Sequence, residues 1–217
     1  MTHDDNTSRL PTYFISHGGG PWPWMKKEMG GVYDQLAASL ADMPRQIGRT
    51  PGAILMVSAH WEAPVFTVQG NPRPPMIYDY GGFPAHTYQV HYDAPGSPEL
   101  AQRVRALIEA AGLPSGIDAE RGYDHGMFSP MAAIYPKADV PVVQLSLKRG
   151  LDPAERVAQL IDWSSAPAAR IAHPREEHLI PLMVAVGAAE GEQGERVYHE
   201  SAFMGGIAVS SFRIGAA

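Results

Sequence analysis

Two short apolar runs, each followed by a histidine, stand out in the pattern of apolar and polar positions. The first run, Tyr13–Ile15, leads into the letters SHGGGP at 16–21, and the second, Ala53–Val57, leads into SAHW at 58–61. A continuous apolar run closed by turn residues is typical of a buried, parallel strand. Ligands collect where such strands end in open α/β sheets. We therefore expect His17 and His60 at one sheet edge, where they either share a metal ion or are unrelated structural residues.

Elsewhere along the chain, helical spacing alternates with further apolar runs. Helices are predicted at Gly31–Asp42, from the N-cap Ser97 to Gly112, at Leu151–Trp163 and at Ile180–Ala189. Strands are predicted at Ala63–Gly70, at Thr87–Tyr92 on a sheet edge, at Val140–Leu147 and at Ile207–Ile214. This order of elements predicts a single α/β domain over residues 1–217, with a largely parallel central sheet and helices on both faces.

The composition limits which partners and metal ligands are available, but it adds little to the predicted fold. A net charge of −6 gives no basic surface for nucleic acid. The chain has no cysteine, so a metal ion must bind to imidazole, carboxylate or water. No run approaches the roughly 18 apolar residues of a membrane helix, and the polar start is unlike a signal peptide. The expected location is the cytoplasm, without a membrane partner.

Four of the nine histidines occupy suggestive local contexts. Besides His17 and His60, His125 lies in a predicted glycine-flanked loop, next to Asp124, a carboxylate that would orient the ring if the two faced each other. His178 projects from an early turn of a predicted helix that begins near Pro174. Neutral imidazole suits iron, zinc, copper or nickel. Taken singly, however, each histidine is more often a structural residue than a ligand.

Several other residues have two interpretations. His173 is an equally good cap for the helix of His178, and Glu62 is either a ligand, a partner of a histidine or a solvated residue. Trp22 and Trp24 either form the wall of a pocket for an aromatic ring or cover the core. No phosphate-binding glycine motif and no G-x-S-x-G sequence is present.

Seven motifs follow one another in an order that resembles a known family. They are SHGGGP at 16–21, SAHW at 58–61, DYGGFP at 79–84, YDAPGSP at 92–98, DHG at 124–126, PVVQLS at 141–146 and the segment 174–181. Together they resemble the class III extradiol ring-cleavage dioxygenases of the LigB superfamily, specifically the 4,5-DOPA dioxygenase-like branch. The resemblance covers nearly the whole chain.

The resemblance implies a non-haem Fe(II) enzyme that opens the ring of a catechol with O2, with Zn(II) possible as the bound ion. It implies that the metal ligands are His17, His60 and His178, and that His125 lines the substrate pocket and assists proton transfer. The candidate contacts of the substrate ring are Trp22, Trp24, Tyr80 and Phe83. The implied partners are the catechol and O2, and the implied state is a monomer or homodimer.

The chain departs from the family near residues 150–160. Family members carry a further helix and strand there, ending in a Gly-Ser-Gly…His-Asn stretch with the usual acid–base histidine. Either the protein lacks this segment, or the sequence joins two parts of a longer chain across a gap. Loss of a central strand would leave two sheet edges unpaired. Without the usual acid–base histidine, proton transfer would depend on His125 alone. The alternatives to a dioxygenase are therefore a non-catalytic zinc- or other metal-binding relative and a zinc-dependent hydrolase.

Overall fold

The structure is a computed structural model, and it describes residues 10–149, 180–188 and 192–215. The strands are β1 (Thr12–Phe14), β2 (Ile54–Ala63), β3 (Phe66–Gln69), β4 (Ser115–Asp118), β5 (Val142–Lys148), β6 (Gly194–Phe203) and β7 (Ile207–Ile214). The helices are α1 (Lys26–Met29), α2 (Asp34–Ile47), α3 (Pro98–Ala110), α4 (His125–Ile134) and α5 (Ile180–Ala188). The predicted helix Leu151–Trp163, together with His173, Pro174 and His178, lies outside the described residues. Within them, no helix has the length and apolarity needed to cross a membrane.

A four-stranded sheet in the order β2-β5-β3-β4 is mostly parallel. β2 runs parallel to β5, and β3 runs parallel to β4. The antiparallel pair is β3 with β5, joined where Val68 faces Leu145. The predicted mixture of helices with a largely parallel sheet is confirmed for this part of the chain.

A second sheet joins the two ends of the chain in the order β1-β7-β6 and is antiparallel throughout. The prediction that Tyr13–Ile15 is a parallel strand is therefore wrong, since Thr12 pairs with Ile214 and Phe14 with Phe212 across an antiparallel ladder. The physical reason is that a short apolar run indicates burial but does not encode the direction of its partner strand.

The strand β2 is longer and less regular than predicted. Its pairing with β5 passes from Val57 opposite Leu145 to Glu62 opposite Leu147, which is five residues along one strand against two along the other. The intervening residues, 58–61, form a bulge in which the pairing is interrupted. Bulges redirect side chains and are common next to active sites, and this one carries His60.

Two predicted helices are confirmed, although the first begins later than predicted. In α2, Leu36, Leu40 and Met43 are buried, but Val32 precedes the helix and is exposed. In α3, the Ser97 side chain accepts a hydrogen bond from the backbone N–H of Leu100, as expected for an N-cap. Helical spacing thus identified the helices but placed one flanking residue on the wrong side of the boundary.

Other elements were predicted wrongly or missed. Thr87–Tyr92 is not an edge strand, because a 3₁₀ helix at Ala85–Gln89 forms where Pro84 O accepts bonds from both the N–H and the hydroxyl of Thr87. β4 and β6 were not predicted, and α4 begins at His125 where a loop was expected. α4 is buried along most of its length, so it lacks the polar face that makes a helix visible in a sequence.

β1 and β2 border a common cavity of about 890 Å³, which is mostly apolar. Among the described residues, β1 is paired only with β7, and β2 only with β5. Leu55 of β2 is 44% exposed, although it belongs to a strand of the central sheet.

Candidate metal centre

Three histidines from separate parts of the chain meet beside this cavity. One ring nitrogen from each of His17, His60 and His125 lies within 4.8 Å of the others. The Nε2 atoms of His17 and His60 are 3.1 Å apart, and the ring centroids of His60 and His125 are 4.1 Å apart. The structure therefore brings together three of the four histidines singled out in the sequence, while His178 lies outside the described residues.

His17 is held by the backbone of the loop that follows β1. The N–H of Ser16 donates to Ser211 Oγ on β7 at 3.1 Å, and the indole N–H of Trp22 donates to the His17 carbonyl at 2.8 Å. Gly18 has a positive φ of 75°, and a Cβ on it would lie 2.5 Å from Trp22 Nε1. Glycine is therefore required for the turn that presents the His17 ring.

Trp22 has a place in the core rather than on an open pocket wall. Its side chain is 2% exposed and stacks on Tyr33 at a centroid distance of 5.1 Å. Of the two interpretations of the tryptophan pair, this position fits the cover over the core, and it corrects the expectation that Trp22 contacts a substrate ring. Trp24 is only half-buried, with its ring edge against Phe128 at 5.9 Å.

His60 depends on the bulge of β2 and on the start of α4. Its backbone N–H donates to Ser58 Oγ at 3.2 Å, and Ser58 in turn donates to Asp124 Oδ1 at 2.8 Å. A Cβ on Gly126 would lie 2.6 Å from Cδ2 of the His60 ring. The imidazole is thus packed directly against the first turn of α4, which only a glycine there permits.

The Asp124 carboxylate binds three side chains beneath the site rather than the ring of its neighbour His125. It is fully buried and accepts hydrogen bonds from Ser58, from Gln144 Nε2 at 2.9 Å and from Arg121 Nη2 at 3.0 Å. The Arg121 guanidinium also lies 4.7 Å above the Trp61 ring. The idea that Asp124 orients His125 is therefore wrong, because both of its oxygens are committed elsewhere.

Asp79 is the carboxylate that contacts the imidazoles, and the sequence did not single it out for this role. Its Oδ1 accepts hydrogen bonds from the backbone N–H and from Nδ1 of His125, both at 2.9 Å. Its Oδ2 lies 3.8 Å from Nδ1 of His60. Burial raises the pKa of Asp79, but the hydrogen bonds from His125 outweigh it and lower the pKa below 3.8. The only signal in the sequence is that Asp79 opens the DYGGFP motif of a long loop.

Aromatic rings surround His125 on the side of this loop. The Tyr80 ring lies 5.8 Å from the His125 ring and 5.4 Å from the Phe83 ring. The Tyr80 hydroxyl donates to Thr87 O at 2.6 Å, and burial raises its pKa to about 12. Tyr80 is therefore a neutral aromatic surface near neutral pH and not a base.

The chemistry and spacing of these residues fit a first-row metal ion. Imidazole nitrogen binds iron and zinc well, and metal–nitrogen bonds of about 2.0–2.1 Å place neighbouring ligands about 3 Å apart. The 3.1 Å between the Nε2 atoms of His17 and His60 agrees with that spacing. Glu62, a possible ligand in the sequence, does not belong to this cluster of described residues.

Comparison with known proteins identifies the family. Residues 11–154 match the model of the catalytic LigB subunit of aromatic ring-opening dioxygenase. The chain belongs to the LigB family. It is 32% identical over 265 aligned residues to 4,5-DOPA dioxygenase extradiol of Beta vulgaris, covering 95% of this chain and 96% of that protein. It is 40% identical over 144 residues to the Escherichia coli (strain K12) protein of the same name, covering 65% of this chain and 49% of that protein.

One solved structure has a similar overall fold. The crystal structure of an uncharacterized protein from Escherichia coli K12 superposes with a TM-score of 0.67 at 23% identity, covering 95% of this chain and 100% of that chain. The Beta vulgaris alignment is 265 residues long, whereas this chain has 217. The alignment therefore includes positions at which the relative has residues and this chain has none.

Proposed function

We propose that this LigB family member is an Fe(II)-dependent extradiol dioxygenase that opens the ring of a catechol with O2. The observation that carries the proposal is the convergence of His17, His60 and His125 within 4.8 Å, beside an aromatic wall. In the overall reaction, a C–C bond beside the diol and the O–O bond break. Both oxygen atoms remain in the ring-opened semialdehyde, so no further reductant is needed.

His17 and His60 would hold the metal ion, and the resemblance to the family supplies His178 as the third ligand. When bound there, Fe(II) would activate O2 and lower the pKa of a coordinated catechol hydroxyl. Zinc has no redox chemistry. We therefore expect zinc to bind to the same nitrogens without supporting oxygen consumption.

His125 is proposed to take the proton of the second catechol hydroxyl. Because ionised Asp79 only accepts hydrogen bonds, Nδ1 of His125 carries the hydrogen and Nε2 has the free electron pair. A proton taken up at Nε2 produces an imidazolium, which the negative charge of Asp79 stabilises. Asp79 and His125 would thus form a base that takes up a proton at Nε2 of His125.

The aromatic residues are proposed to bind the substrate ring. Tyr80, Phe83 and Trp24 offer ring surfaces around His125 and Phe128. Offset and edge-to-face contacts between such rings add about 0.5–1.5 kcal/mol each beyond the area that they bury. A flat catechol therefore fits this wall better than an aliphatic diol does.

A non-catalytic metal-binding relative is the second candidate, and one observation favours it. The long, gapped alignment to the Beta vulgaris protein is consistent with the loss of the segment that carries the usual acid–base histidine in the family. In that case the histidine cluster binds metal, but no catechol is turned over.

The deciding experiment loads the full chain with Fe(II) without oxygen and then mixes it with a panel of catechols in air-saturated buffer. We expect oxygen uptake and a yellow ring-opened product in equal amounts. The zinc-loaded protein and a His17→Ala/His60→Ala variant are the controls and should do neither. Bound iron with no product from any catechol would reject the dioxygenase and favour the non-catalytic relative.

A further inference from the structure

A single carboxylate, Asp79, faces two of the three imidazoles of the cluster. Its two oxygens divide the contacts, with Oδ1 on His125 and Oδ2 toward His60. The Asp79 side chain is 21% exposed and that of His125 is 9% exposed, so water screens their contact only in part. Asp79 contacts the rings themselves, whereas the Asp124 carboxylate binds the side chains of Ser58, Arg121 and Gln144.

We propose that Asp79 is a positioning residue that fixes the neutral tautomer of His125 and biases that of His60, so that each ring carries its hydrogen on Nδ1. An ionised carboxylate has no hydrogen to donate, so a ring nitrogen 2.9 Å from it must be the donor. A neutral imidazole has one N–H, and the other nitrogen is then an acceptor or ligand. Nε2 of His125 is therefore left without a hydrogen.

The effect on His60 is weaker and of a different kind. The 3.8 Å between its Nδ1 and Oδ2 of Asp79 is too long for a hydrogen bond but within the range of a charge interaction. Negative charge on that side of the ring favours a hydrogen on Nδ1 over one on Nε2. On the opposite side, Nε2 of His60 lies 3.1 Å from Nε2 of His17, so at most one of these two atoms can carry a hydrogen.

The neighbouring carboxylate cannot take over this role. Three donors, from Ser58, Arg121 and Gln144, already bind to the two oxygens of Asp124. Asp79 reaches the site from a loop 46 residues before His125. The tautomers therefore depend on whether the loop at 79–84 is docked, which couples this loop to the readiness of the cluster.

The test observes the tautomers directly in the full-length chain labelled with ¹⁵N-histidine. Two-bond ¹H–¹⁵N correlation spectra are recorded after treatment with a chelator, at about pH 8, where ordinary histidines are neutral. We expect wild-type His125 to show a hydrogen on Nδ1. Asp79→Ala should convert His125 to a mixture of tautomers or to the Nε2–H form.

Two further variants separate positioning from a general loss of structure. Asp79→Asn keeps an oxygen that accepts the Nδ1 hydrogen bond, so it should restore the His125 tautomer. Asp93→Asn removes a carboxylate that lies 4.0 Å from the exposed His91, and it should leave the site signals unchanged. An Nε2–H tautomer of His125 in the wild type, or identical His125 spectra in wild type and Asp79→Ala, would overturn the proposal.

A second readout is zinc affinity, measured by calorimetric titration. Loss of a carboxylate that hydrogen-bonds a metal-binding histidine typically costs about 10- to 100-fold in affinity. Because Asp79 reaches the proposed ligand His60 only by a charge interaction at 3.8 Å, we expect a loss at the lower end, about 10-fold, for Asp79→Ala. Unchanged zinc affinity in a variant whose tautomer is lost would reject the positioning role toward the metal. The inference concerns the site of the proposed dioxygenase, but neither readout involves turnover, so a protein without activity can still pass both tests.

Discussion

The two sides of the histidine cluster are built in different ways. His17 follows the antiparallel sheet. Its backbone is fixed by the left-handed conformation of Gly18, by the buried indole of Trp22 and by hydrogen bonds of the loop backbone. His60 and His125 come from the four-stranded sheet and α4, and they are held by two carboxylates. Among the described residues, the two sheets share no strand pairing. The 3.1 Å approach of His17 to His60 therefore spans two sheets that share one hydrophobic core but no hydrogen-bonded ladder.

The two sides should therefore respond to different perturbations. Changes in charge should affect His60 and His125 while leaving the loop of His17 in place. Substitutions that change backbone freedom near Gly18 should affect the loop of His17 while leaving His60 and His125 in place. A metal ion would join the two sides, so its binding should be sensitive to both.

Substitutions of His125 and His17 should have the greatest effect, and they should distinguish a general base from a metal ligand. His125→Gln should lower kcat by about 10²- to 10⁴-fold, the usual contribution of a general base, while iron content stays near that of the wild type. His17→Ala should lose the iron itself. Iron analysis alongside steady-state kinetics checks both, and iron loss in His125→Gln would instead make His125 a ligand.

The buried Asp124 carboxylate should contribute strongly to the stability of the part of the site that carries His60 and His125. Asp124→Ala leaves Arg121, Ser58 and Gln144 without their acceptor, and breaking such a buried pair costs about 3–5 kcal/mol. Urea unfolding measures this free energy. Asp42→Ala, which breaks an exposed pair with Arg45, is the matched control and should change little. Equal effects of the two variants would contradict the importance of burial.

Metal binding should stabilise the two sides together. At a zinc concentration of about 100 times Kd, ligand binding adds about 2.7 kcal/mol to the free energy of unfolding. For a chain of this size the melting temperature should rise by about 5 to 10 °C. Differential scanning calorimetry with and without zinc checks this rise. The rise should disappear in His17→Ala and in His60→Ala, and its survival in either would place the ion elsewhere.

A smaller loss of stability is expected when Gly18, in the turn that follows β1, is replaced. Gly18→Ala forces a left-handed conformation on alanine, which costs about 1–2 kcal/mol, and its Cβ meets the Trp22 indole. Thermal unfolding should show the loss, and the tautomer of His125 should be unchanged. Gly52→Ala is the control, since nothing lies within 4 Å of its Cβ position.

The smallest expected effect is a dependence of stability on acid pH. The pKa of Asp79 is lower in the folded protein than its usual value of 3.8, so its contribution is present above that value and is lost as pH falls through the folded pKa. Asp79→Asn should therefore lose less stability than the wild type below about pH 4. Urea midpoints measured through this range make the comparison, and parallel curves would contradict the assigned shift.

The convergence of His17 and His60 was predictable even though the reason given for it was partly wrong. The two histidines do converge, but His60 lies in a bulge within β2 rather than after its end. In addition, β1 belongs to an antiparallel sheet, because apolar runs report burial and not pairing direction. The family and the ring-opening chemistry followed from motifs that survive in order along the chain. The mostly parallel sheet followed from the apolar runs of β2 and β5.

The role of Asp79 could not be predicted, because it depends on a loop folding back over 46 residues to reach His125. Spacing along a chain carries no information about such a contact. α4 was missed for a related reason, since a helix that is buried along most of its length shows no amphipathic period. The core position of Trp22 likewise depends on Tyr33, which only the fold brings beneath it.

The bulge at residues 58–61 has a kinetic consequence. These residues are outside the register of the ladder between β2 and β5, so their backbone should open locally while the sheet on either side stays intact. An ion should therefore enter and leave on the timescale of local breathing, without global opening of the domain. Amide hydrogens of the bulge should exchange with deuterium sooner than those of Leu55 and Val57.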